Sequence, residues 1–411
     1  MADRSSSLPH GWRRKSFSEL ADVSFSGVDK KTTPGEIPVR LCNYVDVFHN
    51  HRIHSGIDFM TATASEREVA NFKLLQGDVV FTKDSETPEE IAEPAYVAED
   101  LSGVVCGYHL AIARPKKDVD GRFLYYAMKE TGIRRQFTRS ANGVTRFGLT
   151  LDAFDKIFIP TPVLEEQTRI AEILSTWDET LARLSLQIER KAEVFASLRE
   201  AVVHGTRRID GFDGPWQTVT IGSFLKLHNE RVGNGSDLPV YSITKVGMLP
   251  QEQHFNKRIA NSDLSRHIIV RTGDLALSGL NFWLGSVDVS TLDEPVCISP
   301  DYKVFKINGS IDPKYMRHVV RTARFVTLLK NAAVERASIV RKNFDRETFL
   351  ASELQLPEIR EQRAIVEVLD DAEREIAALE AERAALARQR DALATELLTG
   401  RLRVPQAEAA S

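Results

Sequence analysis

The sequence predicts an α+β chain. Two globular segments, each of mixed sheet and short helices, are separated by two long helices that pair as a coiled coil, and the whole carries an internal pseudo-twofold repeat. Three observations carry this prediction. The stretch from Pro162 to Ile209 recurs from Pro357 to Val404 without a gap, at a constant offset of 195. A gapless repeat of that length marks a duplication. Within both copies apolar residues return every 3.5 positions, which is the period of a coiled-coil seam. The segments before each copy hold short β-type runs punctuated by Gly, Asn, Asp and Pro, as in a twisted sheet with turns. The boundaries that follow are 1–160 and 210–356 for the globular segments, 161–209 and 357–404 for the long helices, and 405–411 for a small polar tail expected to be disordered.

The globular segments echo one another. Trp12 with Phe17 and Leu20 corresponds to Trp216 with Ile221 and Leu225, and Gly77-Asp78-Val79 to Gly273-Asp274-Leu275. The offset drifts between these matches and then returns to 195, the pattern of a scaffold with loops of variable length. Strands are predicted over Pro38–Val47, Asp78–Phe81 and Val104–Ala113, and over Leu238–Ile243, Asp274–Leu277 and Val296–Ile307. A helix follows in each segment, around Phe123–Met128 and, opened by Pro313, around Tyr315–Val320. A final apolar strand, Ile157–Ile159 or Leu354–Leu356, delivers the chain to the Pro of the long helix.

Each long helix opens on Pro162 or Pro357 with carboxylates in its first turns, and stops at Gly205 or Gly400. Thr161 is placed to cap the first copy, whereas Leu356 offers the second no cap. The seam of the first copy runs through Ile170, Leu174, Trp177, Leu181, Leu184 and Ile188 to Val202. That of the second runs through Ile365, Leu369, Ile376, Leu379 and Leu386 to Leu397. Lys191, Arg383 and Arg390 interrupt it and are candidates for setting register. A helix of this length spans roughly 60 Å. A dimerisation coil between chains and a pairing of the two copies inside one chain both fit; the match of the seams in length and phase favours the second.

The composition is that of an ordinary globular protein, with 42% hydrophobic and 27% charged residues. No secretory signal and no run of membrane-spanning length is visible, and Cys42, Cys106 and Cys297 form neither a zinc pattern nor a disulfide framework, so a reducing cytoplasm is expected. The net charge of −4 is carried by residues 357–411, which hold 12 acidic and 8 basic residues. The mean therefore describes the second helix and its tail, and says little about a binding face elsewhere.

Positive charge gathers after each short helix. Residues 129–146 carry Lys129, Arg134, Arg135, Arg139 and Arg146 against Glu130, and Asn142 lies among them. Residues 314–346 carry nine basic residues against two acidic, among them Arg336, Arg341 and Lys342; Arg146 falls on Arg341 under the 195 offset. Lys and Arg suit phosphate contacts, and Arg and Asn suit base edges. A solvated helix face is the bland alternative, and the recurrence of the cluster in both halves raises DNA binding level with it.

Catalytic signals are weak. Asp312-Pro313-Lys314-Tyr315 differs by one residue from an amino-methyltransferase site, but no Gly-rich cofactor loop follows a strand. His49, His51 and His54 lack an acidic or Cys ligand to complete a metal site. Neither a phosphate-binding loop nor a nucleophile elbow is present.

The repeated opening, Pro162 to Glu166-Gln167 to Ile170 with Leu174 and Pro357 to Glu361-Gln362 to Ile365 with Leu369, resembles the specificity subunit of type I restriction–modification enzymes, and the resemblance covers essentially the whole chain. It implies two target-recognition domains that each read half of a split, asymmetric double-stranded DNA site. It also implies that the long helices pair antiparallel and hold those domains apart, that two methylation subunits dock along them, and that a motor-nuclease subunit joins for cleavage. S-adenosylmethionine, Mg and ATP are then expected on the partner subunits, with no cofactor, metal or catalytic residue in this chain. The alternatives are a self-contained DNA-modifying enzyme and a coiled-coil scaffold with no DNA role.

Overall fold

The computed structural model describes residues 8–234, 237–252, 263–335 and 342–404; the tail 405–411 lies outside them. The chain forms two compact units, and each is discontinuous in sequence: Met1–Ser185 with Glu382–Ser411, and Leu186–Ala381. The division falls inside both long helices, which are observed as Leu164–Val203 and Ile359–Leu398.

In the first unit a five-stranded sheet has the order Ala21–Phe25, Leu110–Pro115, Val79–Thr82, Pro94–Val97, Arg52–Ile53, beside a three-stranded sheet of Met60–Ala64, Ile37–Cys42 and Val104–Cys106. The second unit has two four-stranded sheets on the same plan. One runs Leu225–His228, Lys303–Ile307, Leu275–Leu277, Val287–Val289; the other runs Gly247–Pro250, Val240–Thr244, Val296–Ile298, Ile268–Val270. A parallel pairing recurs at the equivalent place in both units, Arg40 opposite Val104 and Val240 opposite Cys297, and the first unit has a second one, Arg52 opposite Tyr96.

Three of the strands expected from sequence are divided. Pro38–Val47 ends as a strand at Cys42, because Asn43 opens the helix Tyr44–His49 with a capping box in which its N–H donates to Asp46 at 2.7 Å. Val104–Ala113 is two strands in two different sheets, turned at Gly107, where a β-carbon would stand 2.7 Å from the Cys42 carbonyl oxygen. Val296–Ile307 is divided in the same way. A run of apolar residues shows that the chain is buried and extended, and does not show that it changes sheet.

The short helices are capped by aspartates. The Asp120 carboxylate accepts from the N–H of Arg122 and Phe123 at the head of Gly121–Lys129, and Asp312 accepts from Lys314 at the head of Pro313–Val320. These caps are tied to the long helices by the Gln of the repeated motif. The Gln167 amide oxygen accepts from Asp120 N–H at 3.0 Å while its nitrogen donates to Pro162 O; Gln362 repeats both bonds with Asp312, at 2.8 Å, and Pro357. Thr161 does not cap: its hydroxyl donates to Ile159 O, and it lies on the strand Phe158–Thr161 paired with Arg13–Ser16.

The Glu of the motif closes the opposite end of the partner helix. Glu166, 5% exposed, accepts from Trp12 Nε1 at 3.2 Å and from Arg403 Nε and Nη2 at 2.7 and 2.9 Å. Glu361, 2% exposed, accepts from Trp216 Nε1 at 3.1 Å and from Arg208 at 2.6 and 2.9 Å. Each arginine is carried by the turn that ends the other long helix. Both turns are built alike, with glycine in the left-handed region, Gly205 at φ +70° and Gly400 at φ +74°. Both also close with a backbone bond six residues back, Arg207 to Ala201 and Leu402 to Glu396.

Within each unit the two helices run antiparallel. In the first, Arg390 meets Asp178 and Arg383 meets Ser185; in the second, Lys191 meets Glu375. All three basic interruptions of the seam therefore bond across to the other helix. The seam leucines and isoleucines join the cores. Ile170 and Leu174 pack with Leu397 in the first unit, and Val202 and Val203 with Ile365 and Leu369 in the second. Trp177, Leu181, Leu184, Ile376, Leu379 and Leu386 are partly exposed, as expected of a two-helix seam away from the globular cores. Among the described residues no helix is long and apolar enough to cross a membrane.

Candidate nucleic-acid interface

In both units the short helix pair is followed by a two-stranded hairpin. Gly121–Lys129 and Thr131–Ser140 lead to the hairpin of Asn142-Gly143 and Phe147-Gly148. Pro313–Val320 and Ala323–Asn331 lead to the hairpin of Ala333–Glu335 and Lys342–Phe344. The described residues of the basic tracts lie on these elements and the turns between them, with Arg346 at the start of the helix Arg346–Ala351 that follows.

In the first unit Arg135, Arg139, Asn142 and Arg146 are exposed. Arg134 departs from the expectation that it faces a ligand. Its side chain is 19% exposed, Nη2 donates to Glu89 O at 2.5 Å and lies 3.4 Å from the Glu93 carboxylate, so it braces the second short helix against residues 89–93. Burial lowers its pKa. Lys129 is held in the same neighbourhood between Glu93 and His51. The hairpin is anchored to the sheet edge, with Phe147 paired to Ser85 and Gly148 to Asp84. Asp84 is contacted by His109 Nδ1 at 2.7 Å, and Lys83 donates to Ser26 O with its ammonium 4.6 Å from the exposed Tyr108 ring.

In the second unit Arg336 and Arg341 lie outside the described residues. Lys342 places its ammonium 4.8 Å from the Trp283 ring, and Phe344 anchors the hairpin against Phe282, Phe305 and Phe349. Two other members of the basic tract are spent inside the unit. Arg317 pairs with Glu373 at 2.7 Å, and Arg321 pairs with Asp288 at 3.0 Å and donates to Val246 O. Arg324, Lys330 and Arg346 are exposed. Arg346 lines a cleft of about 490 Å³ with His228, Arg231 and Lys303. Sequence reading missed this grouping, as it missed Lys83, Tyr108 and His109, because strands far apart in the chain bring those residues together.

The rejected catalytic motif is structural. Asp312 is a cap, and the buried Tyr315 donates its hydroxyl to Val203 O at 2.9 Å. Among the described residues no group of three His, Cys, Asp or Glu side chains could hold a metal ion, and Cys42, Cys106 and Cys297 are buried.

Residues 12–193 match the type I restriction modification DNA specificity domain. Over those residues the chain is thus similar to the specificity domain of type I restriction–modification enzymes. The MjaVIII specificity subunit of Methanocaldococcus jannaschii is 23% identical over 74% of this chain and 75% of its own length. The EcoKI specificity subunit of Escherichia coli is 25% identical over 54% of this chain and 50% of its own. Curated relatives are matched over 43% to 75% of their own length. In fold, the chain is similar to the S subunit of a type I restriction–modification system from M. genitalium. The TM-score is 0.53 at 13% identity, over 97% of this chain and 98% of that one.

Proposed function

We propose that this chain is the DNA sequence-recognition subunit of a type I restriction–modification complex. Its globular segments, 1–160 and 210–356, each read one half of a bipartite, asymmetric site in double-stranded DNA. The two long helices act as the ruler between the halves and as the platform on which two methylation subunits dock; a motor-nuclease subunit completes the cleaving form. S-adenosylmethionine, Mg and ATP belong to those partners, and this chain contributes recognition rather than a chemical step.

One observation carries the reading. Two units share a scaffold down to the same Trp–Glu–Arg clamp and Gln tie, are built on a common pair of 40-residue helices, and differ in the exposed hairpins and loops. A duplicated scaffold with unlike exposed faces suits a reader of two unlike sequences, just as dimeric readers use like faces on palindromes. The test is to map methylated positions in the host with and without this gene. Loss of methylation at one split sequence is expected, and an unchanged map contradicts the reading.

A further inference from the structure

The hairpin of the first unit combines a fixed base with a bare tip. Its base is held by the pairing of Phe147 and Gly148 to Ser85 and Asp84, and by the Leu149 N–H donating to Lys83 O at 3.0 Å. Ser85 is buried and donates its hydroxyl to Thr87 O, which fixes the edge strand itself. The turn is held by Gly143, at φ +145°, where a β-carbon would stand 1.9 Å from the Arg146 carbonyl oxygen. Only glycine closes the loop this tightly.

Beyond that base, Asn142, Val144, Thr145 and Arg146 are all exposed. Val144 is 91% exposed, the most of any large apolar side chain among the described residues. A lone exposed apolar residue needs no explanation on most surfaces. Here it sits at the summit of a glycine-locked ribbon, flanked by an amide and a guanidinium, with the exposed Arg135 and Arg139 on the helix that leads into it.

Resting on the reading above, we propose that Asn142–Gly148 is the sequence-reading finger of the first recognition domain. It enters the major groove of duplex DNA with Val144 against base edges, while Arg146 meets the phosphate backbone beside it. The major groove admits a two-stranded ribbon, and an apolar tip is matched there by the thymine methyl group. The surrounding arginines supply the charge complementarity that commits the tip to a polyanion rather than to an apolar protein surface. Val144 is thus a specificity-determining residue and Arg146 an affinity residue, and the two roles separate on measurement.

The full-length chain is selected against a randomised 30-base-pair duplex library at low salt, and the enriched sequences are compared for wild type, Val144→Asn, Val144→Ile and Arg146→Gln. Val144→Asn lowers the preference at one or two adjoining base pairs by about fivefold or more, the scale of a lost base contact, and leaves the melting temperature unchanged. Val144→Ile keeps the preference. Arg146→Gln weakens binding evenly across sequences and reduces the salt slope by about one. If Val144→Asn enriches the same sequences with the same preference as wild type, the finger is not the reader, although the domain still reads DNA. If the wild-type chain enriches no sequence at all, the recognition function and the finger fall together.

Discussion

The two units hold their short helices to the long pair by different chemistry. In the first, Tyr126 of the short helix donates to Asp178 of the first long helix at 2.8 Å. Arg390 of the second long helix closes the knot, 2.9 Å from Asp178 and with its guanidinium 5.5 Å from the Tyr126 ring. Three elements meet at one charged centre. In the second unit the short helix meets the first long helix through a neutral bond, Tyr315 hydroxyl to Val203 O, and makes its charged contacts with the second. Buried His318 contacts Asp370 at 3.1 Å and Arg317 pairs with Glu373, while the position matching Arg390 is Phe195, under the guanidinium of Arg199 at 5.2 Å. The clamps and Gln ties repeat in both units; these joints do not. The duplicated framework is thus kept where the helices must begin and end, and has diverged where a domain rests on the helices.

The largest expected effect breaks the first joint. Asp178→Ala takes an acceptor from Tyr126 and leaves Arg390, whose side chain is 15% exposed, with the exposed Asp391 alone; the two losses together should cost about 3 kcal/mol. Glu373→Ala removes a carboxylate that is 41% exposed and should cost about 1 kcal/mol or less. Denaturant unfolding of both variants checks the pair, and equal losses would erase the claimed difference between joints.

The helix-ending glycines give the next contrast. At Gly400 a β-carbon would meet Pro9 Cγ at 2.7 Å, and at Gly205 it would meet the Trp216 ring at 3.2 Å. Both lie at positive φ, so alanine is strained at either. Gly400→Ala should lose about 2 kcal/mol and Gly205→Ala about 1 kcal/mol, compared in the same unfolding experiment.

The second joint also titrates. Burial, set against the hydrogen bond to Asp370, lowers the His318 pKa, so the unfolded chain takes up a proton that the folded chain refuses. Stability should fall as pH drops below about 6.5, the unfolded histidine value, and be fully present above it. His51, His204 and His267 are lowered by burial too and add to the same slope. The share of His318 is the difference between wild type and His318→Gln, which should show a shallower fall. The smallest effect is on the finger, where Val144→Asn should change stability by no more than about 0.5 kcal/mol.

Much of this architecture was legible in the chain. The repeat, the seam and the helix stops at Gly205 and Gly400 follow from periodicity and glycine chemistry, and the short helices from the apolar spacing of Phe123–Met128 and Tyr315–Val320 and from Pro313. Glu166-Gln167 and Glu361-Gln362 stood out as a motif, but their work did not. It depends on Trp12 and Arg403, and on Trp216 and Arg208, which only the antiparallel arrangement brings to the carboxylates. The basic tracts were legible as composition alone. Whether an arginine faces solvent or a neighbouring carboxylate is set by side chains distant in sequence, which is why Arg134 and Arg317 are internal braces and Arg135 and Arg139 are free at the surface. The changes of sheet within Val104–Pro115 and Val296–Ile307 were hidden for the same reason.

The central claim is that the helical pair sets the distance between two readers. It is tested most directly by adding one heptad to each helix at the same level, between Ser185 and Leu186 and between Ala381 and Glu382. This lengthens the pair by roughly 10 Å and keeps the seam in phase. Methylated sites mapped in a host carrying this variant should show both half-sites unchanged and a spacer altered by about three base pairs. The original spacer, kept with full methylation, would contradict the account.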